Sequence, residues 1–178
     1  MRRTAVLAVA LLALLVLFAV GAPGTGARAR PGCTITGTNG EDHLRGTDGP
    51  DVICARGGDD RVRGMDGDDV LVLGPGDDTF SAGPGDDRVL AGGGHDFGNG
   101  GPGDDRIFLQ RGDDTSENWR GVDVLVGGRG DDALCVYDRS SNAPADLVRG
   151  GPGPDYVGAN PTDVVRSVKL VFYGGCWD

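Results

Sequence analysis

The sequence predicts an all-β fold, a stacked solenoid of nine-residue units with a metal ion between its turns. Three observations predict it. Eleven consecutive units run from Gly37 to Cys135, and each carries aspartate at its sixth position: Asp42, Asp51, Asp60, Asp69, Asp78, Asp87, Asp96, Asp105, Asp114, Asp123 and Asp132. Glycine holds the fourth position of every one, from Gly40 to Gly130. The eighth is apolar in nine (Leu44, Ile53, Val62, Leu71, Phe80, Val89, Ile107, Leu125 and Leu134), Gly98 and Ser116 being the exceptions. A carboxylate, a hinge and a core residue at one fixed period are the mark of a single structural unit repeated.

Residues 1–29 read as an export signal. Arg2 and Arg3 precede an apolar run from Ala5 to Val20, and Ala27-Arg28-Ala29 has the small-x-small form of a cleavage site. The competing reading is an uncleaved anchor, since 16 apolar residues fall just short of the roughly 17–25 of a membrane span. Cleavage after Ala29 leaves 14 basic against 27 acidic side chains, a formal charge of −13. Residues 30–36 form an N-terminal cap, in which Thr34-Ile35-Thr36 extends the strand pattern backward.

Within a unit, positions seven to nine make a minimal strand whose eighth residue points inward while the seventh and ninth face out. Positions one to six are a turn, where glycine adopts backbone angles closed to other residues. Two units complete one coil, so unit n stacks on unit n+2 and two parallel sheets face each other. After Cys135 the phase slips by five residues, Val136 to Ser140. It resumes in Ser141–Arg149, with Asp146, and in Gly150–Gly158, with Asp155. Thirteen units in all give about six and a half coils, roughly 30 Å long at the usual strand spacing. One unit buries almost nothing, so stability comes from stacking. Residues 159–178 form a C-terminal cap, with Val168–Tyr173 as its strand.

Four cysteines in an exported chain favour two disulfides. Three connectivities are open. Cys54 and Cys135 sit at outward ninth positions near opposite ends, which favours Cys33–Cys54 and Cys135–Cys176.

The carboxylates pose an electrostatic problem. Stacked coils set two rows of aspartates about 5 Å apart, where like charges repel and a core one residue deep cannot offset the ordering entropy. A divalent cation between turns turns repulsion into attraction. The 25 aspartates against two glutamates, Glu41 and Glu117, favour the short carboxylate that fits tight turns. Calcium suits an all-oxygen set of flexible geometry; zinc wants His or Cys, and magnesium a stricter octahedron.

The pattern Gly-Gly-x-Gly-x-Asp-x-apolar-x resembles the RTX repeat, also called the haemolysin-type calcium-binding repeat. Gly100–Phe108 and Gly127–Cys135 match it at every defined position, and the likeness covers 37–158. The resemblance implies a right-handed parallel β-roll with several calcium ions held by position-six carboxylates and backbone carbonyls. It assigns Asp42, Asp60, Asp78, Asp96, Asp114 and Asp132 to one edge, and Asp51, Asp69, Asp87, Asp105, Asp123 and Asp146 to the other; Asp155 joins them as a ligand. Position one is often Ala or Leu (Ala55, Leu73, Ala82, Ala91, Leu109), a mild departure. Leu109–Val126 departs further: Gln110, Arg111, Asn118, Trp119 and Arg120 replace turn residues and Ser116 a core residue. Ions beside Asp114 and Asp123 are therefore expected to be weak or missing. The N-terminal signal points to a free-standing, exported bacterial member of the family.

Strong negative charge, −10 over the whole chain, argues against nucleic acid and anionic membranes as partners. Catalysis is not expected. His43 and His95 have no nucleophile beside them, and pairs such as Asp77-Asp78 point apart in a strand-turn, unlike a glycosidase pair. The expected protein is a secreted, non-enzymatic calcium binder that folds in extracellular calcium. A structural or adhesive envelope protein is a second reading, and a cell-wall or surface ligand is open. Mixed residues at positions seven and nine (Arg61, Arg63, Val70, Val72, Arg88, Leu90) weigh against a repetitive target. A detached calcium domain of a hydrolase is a third reading, with no room expected beside the repeats for a catalytic domain.

Overall fold

A computed structural model describes residues 32–136 and 144–173, all within one unit spanning Pro31–Asp178. The expected export signal and Cys176 lie outside the described residues. Short strands recur along the chain at the repeat period. They are β1 (Ile35–Thr36), β2 (His43–Arg45), β3 (Val52–Cys54), β4 (Arg61–Arg63), β5 (Val70–Pro75) and β6 (Thr79–Ser81). Next come β7 (Arg88–Gly93), β8 (Phe97–Asn99), β9 (Arg106–Arg111), β10 (Thr115–Asn118) and β11 (Val124–Arg129). The last are β12 (Ala133–Val136), β13 (Leu147–Arg149), β14 (Tyr156–Ala159), β15 (Val164–Arg166) and β16 (Leu170–Tyr173).

Odd-numbered strands stack in one eight-stranded sheet and even-numbered strands in another. Every pairing is parallel, as in Leu71 opposite Val89 and Val89 opposite Ile107. Unit n therefore stacks on unit n+2, and the chain is a parallel β-roll. The five-residue slip is an insertion that leaves the stacking intact, because Leu125 pairs with Val148 and Leu134 with Val157.

The core is deeper than the sequence reading allowed. Eighth-position residues are buried as expected (Ile53, Val62, Leu71, Val89, Ile107), but so are Ala55, Leu73, Ala82, Ala91 and Leu109 at position one. Alternation of side chains explains this: positions six, eight and one of the next unit share a parity, so all three face inward. The substitutions of position-one glycine are thus a second core layer. They are unevenly shared. Turns running from the odd to the even sheet begin with Ala55, Leu73, Ala91 or Leu109 in the middle of the roll and with Gly37, Gly127 or Gly150 towards its ends, while the opposite turns begin with Gly46, Gly64, Ala82, Gly100 or Asn118. Strands are also longer than three residues in the middle of the odd sheet, where β5, β7, β9 and β11 span six.

Fourth-position glycine is required by coil stacking. Gly76 has φ +146°, and a Cβ there would lie 2.1 Å from the Gly58 carbonyl oxygen of the coil below. Second positions also adopt positive φ, and Arg56, Met65 and Gln110 do so without being glycine. Beyond the recognised repeats, β15 is an additional strand, and β1 and β16 sit at the outer ends of the two sheets.

Gly76→Ala is expected to cost about 2 kcal/mol or more. Gly49→Ala, at the same repeat position in the first coil with nothing within 4 Å, should be close to neutral. Chemical unfolding midpoints in saturating calcium compare them, and equal losses would contradict the stacking explanation.

Candidate metal centre

Each aspartate at position six closes a turn just before its strand, with its side chain on the inward parity. All but the first are buried, from Asp105 and Asp132 at 0% exposure to Asp51 at 7%, while Asp42 is half-buried. The backbone N–H of each donates to Oδ1 of the aspartate one coil further on. On one edge Asp42, Asp60, Asp78, Asp96, Asp114, Asp132 and Asp155 link in this order at 2.8–3.1 Å. On the other, Asp51, Asp69, Asp87, Asp105, Asp123 and Asp146 link likewise at 2.8–2.9 Å. Both ladders match the edges assigned from the sequence, and Asp155 falls on the first.

Only half of each carboxylate is used in this way. Oδ2 of Asp60, Asp69, Asp78, Asp87, Asp96, Asp114, Asp132 and Asp155 is buried with no hydrogen-bond donor. A carboxylate oxygen left so in a dry interior costs several kcal/mol, and here the deficit repeats coil after coil. Backbone oxygens converge on the same places. A Cβ at Gly64 would lie 2.3 Å from Asp69 Oδ2 and 2.4 Å from the Ala82 carbonyl oxygen. At Gly150 the corresponding distances are 2.2 Å to Asp155 Oδ2 and 2.5 Å to the Ser167 carbonyl oxygen. Glycine therefore leaves open a cradle lined by one carboxylate and one carbonyl of the neighbouring coil. Among the described residues no three His, Cys, Asp or Glu side chains gather in a metal-binding group. A cation here would rest on carboxylates from successive coils plus carbonyls, the hard oxygen set that calcium takes.

The first coil is different. Asp51 accepts from the Thr47 N–H at 2.7 Å, from the Thr47 hydroxyl at 2.9 Å and from the Thr34 hydroxyl at 2.8 Å. Asp42 accepts from the N–H and hydroxyl of Thr38 at 2.5 and 3.0 Å. Threonine at position two thus supplies protein donors where the interior coils have none. The sequence reading did not set Asp42 and Asp51 apart; the signal was Thr38 and Thr47 at the same repeat position.

Asp163 was also missed. Its Oδ1 accepts from the Asp146 N–H at 3.1 Å, and it precedes β15, so it extends the second ladder by one step. It stands eight residues after Asp155, and a strict nine-residue frame passes over it. The first ladder ends at Lys169, whose N–H donates to the Asp155 carbonyl in the register position of a further aspartate. The irregular segment does not interrupt either ladder: Asp96 reaches Asp114, and Asp105 reaches Asp123, at 2.8 and 2.9 Å.

Electrostatics follow burial. Loss of water is the largest cause pushing the pKa of Asp78 up to about 6 and those of Asp87, Asp96, Asp105 and Asp132 up to about 7. The N–H from the preceding coil pulls each down, and neighbouring carboxylates push it up. Asp60, Asp69, Asp114 and Asp155 are raised for the same leading reason. Asp51 is lowered, first by the Thr47 N–H and then by the Thr34 and Thr47 hydroxyls. Outside, position-five residues form a solvent-exposed parallel row, in which Asp77 N–H donates to Asp59 Oδ1 at 2.9 Å and His95 N–H to Asp77 Oδ1 at 2.7 Å. Asp77 is exposed and Asp78 buried, so the pair points apart.

Both cysteine expectations are informative. Cys33 and Cys54 are joined, with Cα atoms 5.8 Å apart, tying the segment before β1 to β3. Cys135 is also disulfide-bonded, and its expected partner lies outside the described residues.

Fold and site together define a metal-binding β-solenoid with one inward carboxylate per turn. The RTX calcium-binding nonapeptide repeat matches the chain in four copies, over residues 36–71, 63–98, 99–116 and 120–134. The chain belongs to that family, which implies calcium as its ligand. No curated protein matches it.

The raised pKa values set a pH dependence. A carboxylate with a raised folded pKa adds stability that is complete below its unfolded value, about 4, and is lost as pH rises through the folded one. The metal-free roll should therefore be most ordered near pH 4 and lose order as pH passes about 6 to 7. Calcium would displace those protons. Calorimetry at pH 6.5 in buffers of different ionisation enthalpy should register proton release on calcium binding, and buffer-independent heats would refute it.

Proposed function

We propose that this protein is an exported, non-enzymatic calcium binder whose repeats order when the chain reaches extracellular calcium. The observation that carries the reading is the pair of buried aspartate ladders, in which Asp60, Asp69, Asp78, Asp87, Asp96, Asp114 and Asp132 each bury a carboxylate oxygen that lacks a donor. With no cation and at neutral pH, those groups oppose folding; with calcium they hold successive coils together. Export is supported by the basic, apolar and small-x-small sequence of residues 1–29 and by the disulfide-bonded cysteines, since disulfides persist in oxidising compartments. The non-enzymatic reading draws on the aspartates being absorbed by the ladders and on His43 and His95 lying exposed on the surface.

One observation favours a second reading, in which the outer surface binds a target. Residues at positions seven and nine look mixed along the chain, but alternate units go to opposite sheets. The odd sheet then presents Val72, Leu90, Phe108 and Val126 in one register row, while the row that begins with Val52 and Val70 continues with Arg88 and Arg106. Arg61, Arg63, Thr79 and Ser81 go to the even sheet. An adhesive or envelope-associated protein would use that apolar row.

Two measurements test the main reading. Protein recovered from the culture medium should begin at Arg30 on N-terminal sequencing, whereas retention in cells with residues 1–29 intact would contradict export. Equilibrium dialysis of that material should give several calcium ions per chain with Kd on the order of 10⁻⁴–10⁻³ M. Magnesium binding of equal strength would count against calcium as the ligand.

A further inference from the structure

The irregular turn at Asn118–Asp123 departs most from the repeat, and it holds a buried polar side chain that the aspartate ladders do not use. Asn118 occupies position one, where the other turns of its edge have Gly46, Gly64, Ala82 and Gly100. It is 1% exposed, and its Nδ2 is buried without a hydrogen bond of regular geometry, although the side chain lies close enough to the Asp105 carboxyl to pull that group's pKa down. A buried amide left half satisfied costs about 1–3 kcal/mol, and glycine would avoid that cost. Its oxygen explains its presence.

In regular turns the position-one carbonyl oxygen has two neighbours one coil below. It accepts a hydrogen bond from the position-two N–H, as Gly100 O does from Gly83 at 2.7 Å and Gly150 O from Gly128 at 2.8 Å. It also faces the carboxylate of that coil, as Ala82 O does beside Asp69 Oδ2 over Gly64. In the Asn118 turn the side-chain oxygen takes over both relations. Gly101 N–H donates to Asn118 Oδ1 at 3.1 Å. Over Gly100, a Cβ would lie 2.2 Å from Asp105 Oδ2 and 2.5 Å from Asn118 Oδ1. The Gly101 donor fixes the orientation of the amide, because turning it over would set NH₂ against N–H. The backbone of this turn has its positive φ at Arg120, a third position, which accompanies the exchange of a main-chain for a side-chain oxygen.

We propose that Asn118 Oδ1 is a calcium ligand in the cradle shared with Asp105, replacing the backbone carbonyl that regular turns supply. This rests on the calcium reading above and reverses the expectation of a weak or missing ion beside Asp123. A neutral amide oxygen is a normal calcium ligand. The repeat therefore tolerates the loss of its turn sequence here because the substituted residue restores the missing oxygen.

The test uses the purified full chain and its Asn118→Ala and Asn118→Asp variants, with Ca²⁺ alone in dialysis and Tb³⁺ as a luminescent probe. Trp119, 54% exposed and next to Asn118, sensitises the ion at this coil, and the emission lost in Trp119→Phe defines its signal. Asn118→Ala should lose that signal and one calcium per chain while its far-UV spectrum in calcium is unchanged. Asn118→Asp, which keeps the shape and adds a charged oxygen, should keep the ion and bind it about tenfold more tightly. Full signal and an unchanged calcium count in Asn118→Ala would overturn the assignment, as would loss of the ion in Asn118→Asp. A wild-type chain that binds no calcium in dialysis would instead sink the parent reading and this assignment with it.

Discussion

Burial of one carboxylate per turn is the constraint around which the rest of this molecule is arranged. The repeat places aspartate on the same inward parity as its core residues, so stacking coils to bury Leu71 or Ile107 also buries Asp69 or Asp105. A backbone N–H from the neighbouring coil satisfies one oxygen of each interior aspartate, and in Asp60, Asp69, Asp78, Asp87, Asp96, Asp114 and Asp132 the second oxygen has no protein donor. Hydrophobic burial and electrostatic cost thus grow together with every coil added. A fold so arranged is complete only when something positive, a proton or a metal ion, enters each cradle. One device limits the problem at the start, where threonines satisfy Asp42 and Asp51.

Glycine serves that same constraint. Fourth-position glycines let coils approach until backbone meets backbone, and position-one glycines keep Cβ atoms out of the space beside Oδ2. The two edges resolve position one differently. In the middle of the roll Leu73 and Leu109 fill the interior beside the first edge, while glycine, Ala82 and Asn118 line the second. The edges therefore share carboxylate chemistry but differ in the packing next to it.

Much of this was legible in the sequence because the period is strict. Aspartate and glycine at fixed positions reveal the coil length, the parallel stacking and the division of aspartates between two edges without any tertiary information. What escaped was whatever needed parity or a shifted frame. Ala55 and Leu73 read as imperfect glycines until alternation is carried across the unit boundary, where they become core. Asp163 sits one residue out of phase and disappears from a nine-residue count. The apolar row of Val72, Leu90, Phe108 and Val126 was hidden because neighbours in sequence lie on opposite sheets. Asn118 read as damage to a calcium turn, since only the folded chain shows its oxygen standing where a backbone carbonyl stands elsewhere.

The central claim is that the buried ladders need a cation at neutral pH, and the far-UV circular dichroism of the EDTA-treated chain at pH 7.5 tests it most directly. The account predicts a largely disordered spectrum that becomes β-rich in a cooperative transition when calcium, but not magnesium, is added. A chain already β-rich in EDTA and indifferent to calcium would contradict it, and the ladders would then have to be stabilised by protons or by the disulfide-tied ends alone.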